Sequence, residues 1–133
     1  MEYHLKTGMK GEQEELVVDG NTARVYASGA VDVYATPAMI GLIENAAFNA
    51  VDRFLPDGWT TVGTNLEVKH LAATPVGLKV KAQAELLEID GRRLVFKVEA
   101  YDEKEKIGEG IHERFIVELA RFLGKVEKKR NGE

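Results

Sequence analysis

The chain has 133 residues, 44% apolar and 30% charged, with 22 acidic against 18 basic side chains and a net charge of −4. That describes one soluble globular domain with a single core, and the acidic balance offers no electrostatic footprint for nucleic acid. The absence of cysteine excludes disulfides, thiolate zinc sites and cysteine nucleophiles.

The first ten residues carry glycine- and lysine-containing turns and predict a loose lead-in. The amino terminus, MEYHLKTGMKGE, has no apolar core of signal-peptide length, and nowhere do about eighteen apolar residues run together, so neither a leader nor a membrane span is expected. The expected compartment is the cytoplasm. A first strand is predicted from Glu12 to Val18, then a turn at Asp19-Gly20-Asn21 and a second extended piece over Thr22 to Ala27. Ser28-Gly29-Ala30 forms a flexible approach to a helix.

Val33 to Leu55 is the only long stretch with helical apolar spacing. Thr36 suits the N-cap and Pro37 the first helical position, where its missing N–H costs nothing. At about 100° per residue, Met39, Ile40, Leu42, Ile43, Ala46, Ala47, Ala50, Val51 and Phe54 form a broad apolar arc. Glu44 falls inside that arc. Either it turns out to solvent at the arc's edge or pairs with a base, or it is held in a dry pocket because reaction chemistry needs a carboxylate there.

Pro56-Asp57-Gly58 stops the helix, and the remainder reads as strand. Thr60 to Ala73 alternates, with Leu66, Val68, His70 and Ala72 on one face and Asn65, Glu67 and Lys69 on the other. After a turn at Thr74-Pro75-Val76-Gly77, Leu78, Val80, Ala82, Ala84 and Leu86 alternate with Lys79, Lys81, Gln83 and Glu85. Asp90-Gly91 signals a hairpin into Leu94, Phe96, Val98 and Ala100. A charged turn at Glu103-Lys104-Glu105 leads to a last strand from Ile107 to Leu119 or a little beyond. The domain is expected over residues 1–123, with the charged tail at 124–133 disordered. One apolar helix against one run of long antiparallel strands predicts a sheet curled around the helix, which is the α+β hotdog fold. One helix cannot cover so long a sheet, and its edges need pairing, so a homodimer is expected.

His70 lies on the apolar face of its strand. It is either a core histidine with satisfied ring nitrogens or, with a buried carboxylate in the same core, half of an acid/base or nucleophile/base pair. Thr36 has a plain reading as N-cap and can also serve a site. It lies eight residues from Glu44, about 12 Å of helical rise, so either the substrate bridges the two or a second subunit completes the site. Gly63, inside a strand pattern, permits a bulge or a close ligand approach, and its N–H can serve an oxyanion. On the last strand, His112 and Arg114 share a face opposite Ile111 and Phe115, which reads as a solvated or interface face. The three histidines, His4, His70 and His112, lack metal-ligand spacing, so no metal is expected, nor any other cofactor.

The helix stretch YATPAMIGLIE, the strand and turn HLAATPVGLKV, the hairpin DGRRL and the closing IGEGIHERF together resemble the fluoroacetyl-CoA thioesterase-like branch of the hotdog thioesterases, over about Gly8 to Phe122. The resemblance implies a catalytic set at Thr36, Glu44 and His70, with Gly63 and Arg114 around the substrate. It also implies hydrolysis of an acyl-CoA at a dimer interface. Upstream of the helix, where the fluoroacetyl-selective enzymes carry bulky aromatics over the acyl pocket, this chain has Ser28 to Val33, SGAVDV. The smaller cover implies a more open site and a general short acyl-CoA. Two other readings stand beside hydrolysis: a non-catalytic acyl-CoA-binding or regulatory hotdog, and an enoyl-CoA hydratase, whose acid and His would need a motif not found here.

Overall fold

A computed structural model of the chain describes residues 4–133. Residues 1–3 of the expected lead-in lie outside the described residues. Strand β1 is Lys10–Leu16, helix α1 Thr36–Val51, β2 Trp59–His70, β3 Lys79–Asp90, β4 Arg93–Asp102, β5 Lys106–Glu118 and helix α2 Leu119–Arg130. Short 3-10 turns occupy Asp19–Asn21 and, continuing α1, Asp52–Phe54. The five strands form one antiparallel sheet in the order β1-β3-β4-β5-β2, curled so that all five contact α1. This is the hotdog architecture that one apolar helix and a run of long strands predict. Among the described residues no helix is long and apolar enough to cross a membrane.

The buried arc of α1 is Ala38, Met39, Leu42, Ile43, Ala46, Ala47, Ala50 and Val51. It meets the inward residues of the strands, among them Val80 and Leu86 of β3, Leu94, Phe96 and Val98 of β4, and Ile107 and Ile116 of β5. Small residues bring the helix backbone close to the sheet. A Cβ on Gly11 of β1 would lie 2.2 Å from the Ala46 carbonyl oxygen, so β1 crosses α1 backbone to backbone. The β3–β4 hairpin has the tight turn expected at Asp90-Gly91: Asp90 pairs Arg93 and Gly91 takes φ 61°, the first central position of a type II′ turn.

Three segments differ from the sequence expectation. First, β1 starts and ends two residues earlier than predicted. As an edge strand lying on the helix backbone, it needs little inward apolar alternation. Second, Thr22 to Ala27 is a string of turns instead of a strand, joined only by a single bridge between Thr22 and Tyr34. Beyond the bridge, where Ala23 N–H donates to Val33 O at 2.8 Å, its backbone bonds locally, Tyr26 N–H to Thr22 O at 3.2 Å and Ala27 N–H to Arg24 O at 3.1 Å, so no ladder continues. Third, β5 stops at Glu118 and the charged end, expected without order, is the helix α2 through Arg130, none of whose residues is buried.

Candidate active site

Thr36 is the first residue of α1 and Ala35 is its N-cap, so the expected capping role passes to a residue without a capping side chain. The freed Thr36 hydroxyl instead lies 2.7 Å from Nδ1 of His70, the last residue of β2. Among the described residues the buried His70 Nε2 has no hydrogen-bond partner. Burial pushes the ring's pKa below its ordinary value, and the Ala72 backbone offsets this only in part. A neutral imidazole can therefore accept the threonine proton at Nδ1. The pair opens into a concavity of about 340 Å³ walled by Ala23, Val33, Tyr34 and Leu71. Tyr34 is held there by donating its phenol to the Glu15 carboxylate, and burial first, then that bond, raises its pKa.

Glu44, two turns along α1, belongs to a different cluster. It is half-buried, at the edge of the helix's buried arc. A Cβ on Gly63 would lie 2.8 Å from Glu44 Oε2, 3.2 Å from His112 Cε1 and 3.6 Å from Arg114 Nη1, so these four residues converge on one point of the sheet. A bulge between Gly63 and Asn65 shapes β2 there. Gly41, Phe48 and Val62 complete a second concavity of about 430 Å³. The two concavities have no lining residue in common.

Behind Glu44 runs a polar chain that the sequence did not disclose. Arg114 is only 7% exposed, and its donors are fixed: Nε to Thr61 Oγ1 at 2.8 Å, Nη2 to Thr61 O at 2.9 Å, and Nη1 to His112 Nε2 at 3.2 Å. The His112 tautomer follows from its partners. Nδ1 faces the Asn65 carbonyl at 2.9 Å, which only accepts, so Nδ1 carries the proton and Nε2 receives the Arg114 N–H. Burial, chiefly, with the Arg114 charge, lowers the His112 pKa against the pull of the Asn65 carbonyl. Thr61 in turn donates its hydroxyl to Asp52, which also accepts from Thr61 N–H at 3.0 Å and from the Thr60 hydroxyl at 2.5 Å. The guanidinium rests over the Phe48 ring at 5.9 Å.

His112 and Arg114 therefore do not form the solvated or interface face that strand alternation predicted. Both point inward, toward α1, and the exposed side is that of Phe115. An inward-facing Arg beside a His is legible in sequence only with its partners, Thr61 and Asp52, and these have no motif of their own. Of the five residues singled out in the sequence, the structure joins Thr36 to His70 and groups Glu44 with Gly63 and Arg114; within one chain it does not join the two sets.

The model of the fluoroacetyl-CoA-specific thioesterase family, FlK, matches residues 17–120. The chain belongs to this family. The fluoroacetyl-CoA thioesterase of Streptantibioticus cattleyicolor is 44% identical over 98 residues, which is 74% of this chain and 70% of that protein. A solved structure of the fluoroacetyl-CoA thioesterase FlK superposes with a TM-score of 0.88 at 37% identity, covering 94% of this chain and 97% of its own. A thioesterase superfamily member from Thermus thermophilus superposes with a TM-score of 0.86 at 29% identity, covering 96% and 97%. The FlK family match spans both clusters, Thr36 with His70 and Glu44 with Gly63 and Arg114.

Proposed function

We propose that this protein hydrolyses a short acyl-CoA to the free acid and CoA, at a site that two copies of the chain build together. The observation that carries this reading is the placement of the two clusters along β2, one at its last residue, His70, and the other at Gly63 near its middle. Among the described residues that strand ends the sheet with one edge unpaired. An unpaired edge of 12 residues is a template for a second strand. If two β2 strands pair antiparallel about a two-fold axis near residues 66 and 67, residue 70 of one copy lies opposite residue 63 of the other. Thr36 and His70 of one copy then meet Glu44, Gly63 and Arg114 of the other. Exposed Leu71 beside the first cluster and Phe48 beside the second, 48% and 40% exposed in the single chain, gain cover.

In the joined site Glu44 brings oxygen to the thioester carbon, by direct attack or by taking a proton from water. The Gly63 N–H and the first-turn N–H groups of α1 receive the developing oxyanion. Thr36 and His70 hold the acyl carbonyl; as the C–S bond breaks, the proton taken from water passes through the neutral His70 ring to the departing CoA thiolate, so that acid, thiol and the starting carboxylate result. Arg114, locked by Thr61 and His112, keeps a fixed positive charge behind the carboxylate. The small wall at Ala23, Ser28 and Val33 leaves room for a general short acyl group. Among the described residues no Asp, Glu, Lys or Arg lines that cavity, which favours an uncharged acyl chain.

Glu44→Gln tests the assignment, because it keeps the shape and removes the charge. Thiol release from a panel of short acyl-CoAs, acetyl- and fluoroacetyl-CoA included, should fall by about 10³-fold or more in the variant. Unchanged turnover would remove Glu44 from the mechanism. A panel that no copy cleaves, with CoA esters still raising the melting temperature, would favour the binding-module reading.

A further inference from the structure

A third concavity, of about 440 Å³, lies between the end of the sheet and α2 and shares no lining residue with the other two. Aromatic surface comes from Trp59 of β2, Phe115 of β5 and Phe122 of α2. Positive charge comes from Arg92 in the β3–β4 turn and from Arg121 and Lys125 on α2. Glu118 is the one carboxylate in the lining. Among the described residues, none of the three cations lies within ion-pair distance of a carboxylate. On the neighbouring strands, by contrast, Arg93 pairs with Glu113 at 2.5 Å, and Lys106 with Glu99 at 2.7 Å and Glu109 at 2.6 Å. The Arg92 guanidinium already stacks over the Trp59 ring at 5.0 Å.

We infer that this pocket binds a phosphorylated nucleoside. Three unpaired cations in a chain of net charge −4 mark a local anion site in place of a general affinity for polyanions. Flat apolar faces next to those cations match a base carried on a phosphorylated sugar, since every base offers a π-face and Arg stacks as well as pairs. The volume falls within the range of small-molecule sites. It also accounts for α2: a helix with no buried residue carries two of the three cations to the pocket. The nucleotide is either a free one or the adenosine 3′-phosphate 5′-diphosphate end of a CoA thioester, and the second source rests on the hydrolase reading above.

Trp59 is the only tryptophan of the chain, so its emission reports occupancy directly. Adenosine 3′,5′-bisphosphate should change that emission saturably, whereas adenosine at equal concentration should not. The double variant Arg121→Ala/Lys125→Ala, on an exposed helix face, should weaken binding by about tenfold or more with the melting temperature unchanged. No response to the bisphosphate, or a response equal in the double variant, overturns the site. Thiol release separates the sources. If the pocket takes the substrate's own nucleotide, the double variant raises KM for acyl-CoA and leaves acyl-pantetheine untouched. If it takes a free nucleotide, neither KM moves while the emission change persists. Wild-type turnover of acyl-pantetheine tests the hydrolase itself and does not depend on this pocket.

Discussion

A site shared by two copies makes a prediction whose sign reverses between two heterodimers. Glu44→Gln and His70→Ala each disable one cluster, and each homodimer should be inactive. In a shared site, Glu44 of one copy works with His70 of the other. A heterodimer of one Glu44→Gln chain and one His70→Ala chain then contains one site with both groups intact, and regains about half of wild-type turnover. A heterodimer of one wild-type chain and one chain carrying both substitutions has a defect in each site, and should be dead. A site within one chain predicts the opposite pattern: none for the first, about half for the second. The basis is geometric. Glu44 lies about 12 Å of helical rise from Thr36, and the two concavities share no wall. Differently tagged chains, co-expressed and purified by both tags, supply the two species, and thiol release from a cleaved acyl-CoA supplies the rate. Half-activity in the wild-type/double-variant species would refute the shared site.

Two further predictions concern the two clusters separately. Gly63→Ala places a methyl 2.8 Å from Glu44 Oε2, the free end of a flexible side chain. The carboxylate can swing away and the buried His112 ring, 3.2 Å from the new methyl at Cε1, has to give by only a few tenths of an ångström, so kcat should fall by about ten- to a hundredfold while the melting temperature stays within a few degrees. A large loss of stability with unchanged kcat would contradict the position given to Glu44. Burial lowers the pKa of both His70 and His112 from the ordinary 6.5. In the window between the folded value and 6.5 the unfolded chain binds more protons, so stability is complete above pH 6.5 and is lost as pH falls through that window. The melting temperature should therefore drop on acidification below pH 6.5, and less so in His112→Asn, while the proposed role of His70 as a neutral ring puts the acid limb of kcat/KM below pH 6.5. A melting temperature that rises over the same range would refute the buried neutral state of both rings.

What could be read from the sequence was what a single periodicity encodes. The alternation of Val80, Ala82, Ala84 and Leu86 specified β3 and its face, because a one-residue slip would put every one of them in water. The arc on α1 did the same for the helix. Where the backbone itself supplies the contact, periodicity is silent: β1 lies on α1 through Gly11, and Thr22 to Ala27 folds into turns that bond Tyr26 N–H to Thr22 O and Ala27 N–H to Arg24 O. The tail misled because lack of a buried face was read as lack of structure, whereas helix-favouring Leu, Ala, Arg, Lys and Glu sustain α2 without one. At the site, Thr36, Glu44 and His70 stood out because each puts a polar group in an apolar pattern or at a helix entrance. His112, Thr61 and Asp52 did not. Their significance lies in one another, across strand pairs such as Gly63 with Arg114 that only the fold creates.

The same network bears on why Glu44 is poised at the edge of the buried arc instead of inside it. Among the described residues no carboxylate is in ion-pair contact with the nearly buried Arg114, and its charge is balanced at longer range by Asp52 on one side and Glu44 on the other. Asp52 is tied down by Thr60 and Thr61, so it cannot move toward the guanidinium. Glu44 has no such tether among the described residues. It is thus the one member of the cluster free to change partner when a substrate arrives, while the positive charge behind it stays fixed. A carboxylate locked into a bidentate pair with Arg114 would have neither the freedom nor the lone pair to reach a thioester carbon. Indirect anchoring through Thr61 and His112 gives the arginine its rigidity without using up the carboxylate. A covering second copy would then strengthen the field at Glu44 by excluding water from a concavity that one chain leaves open.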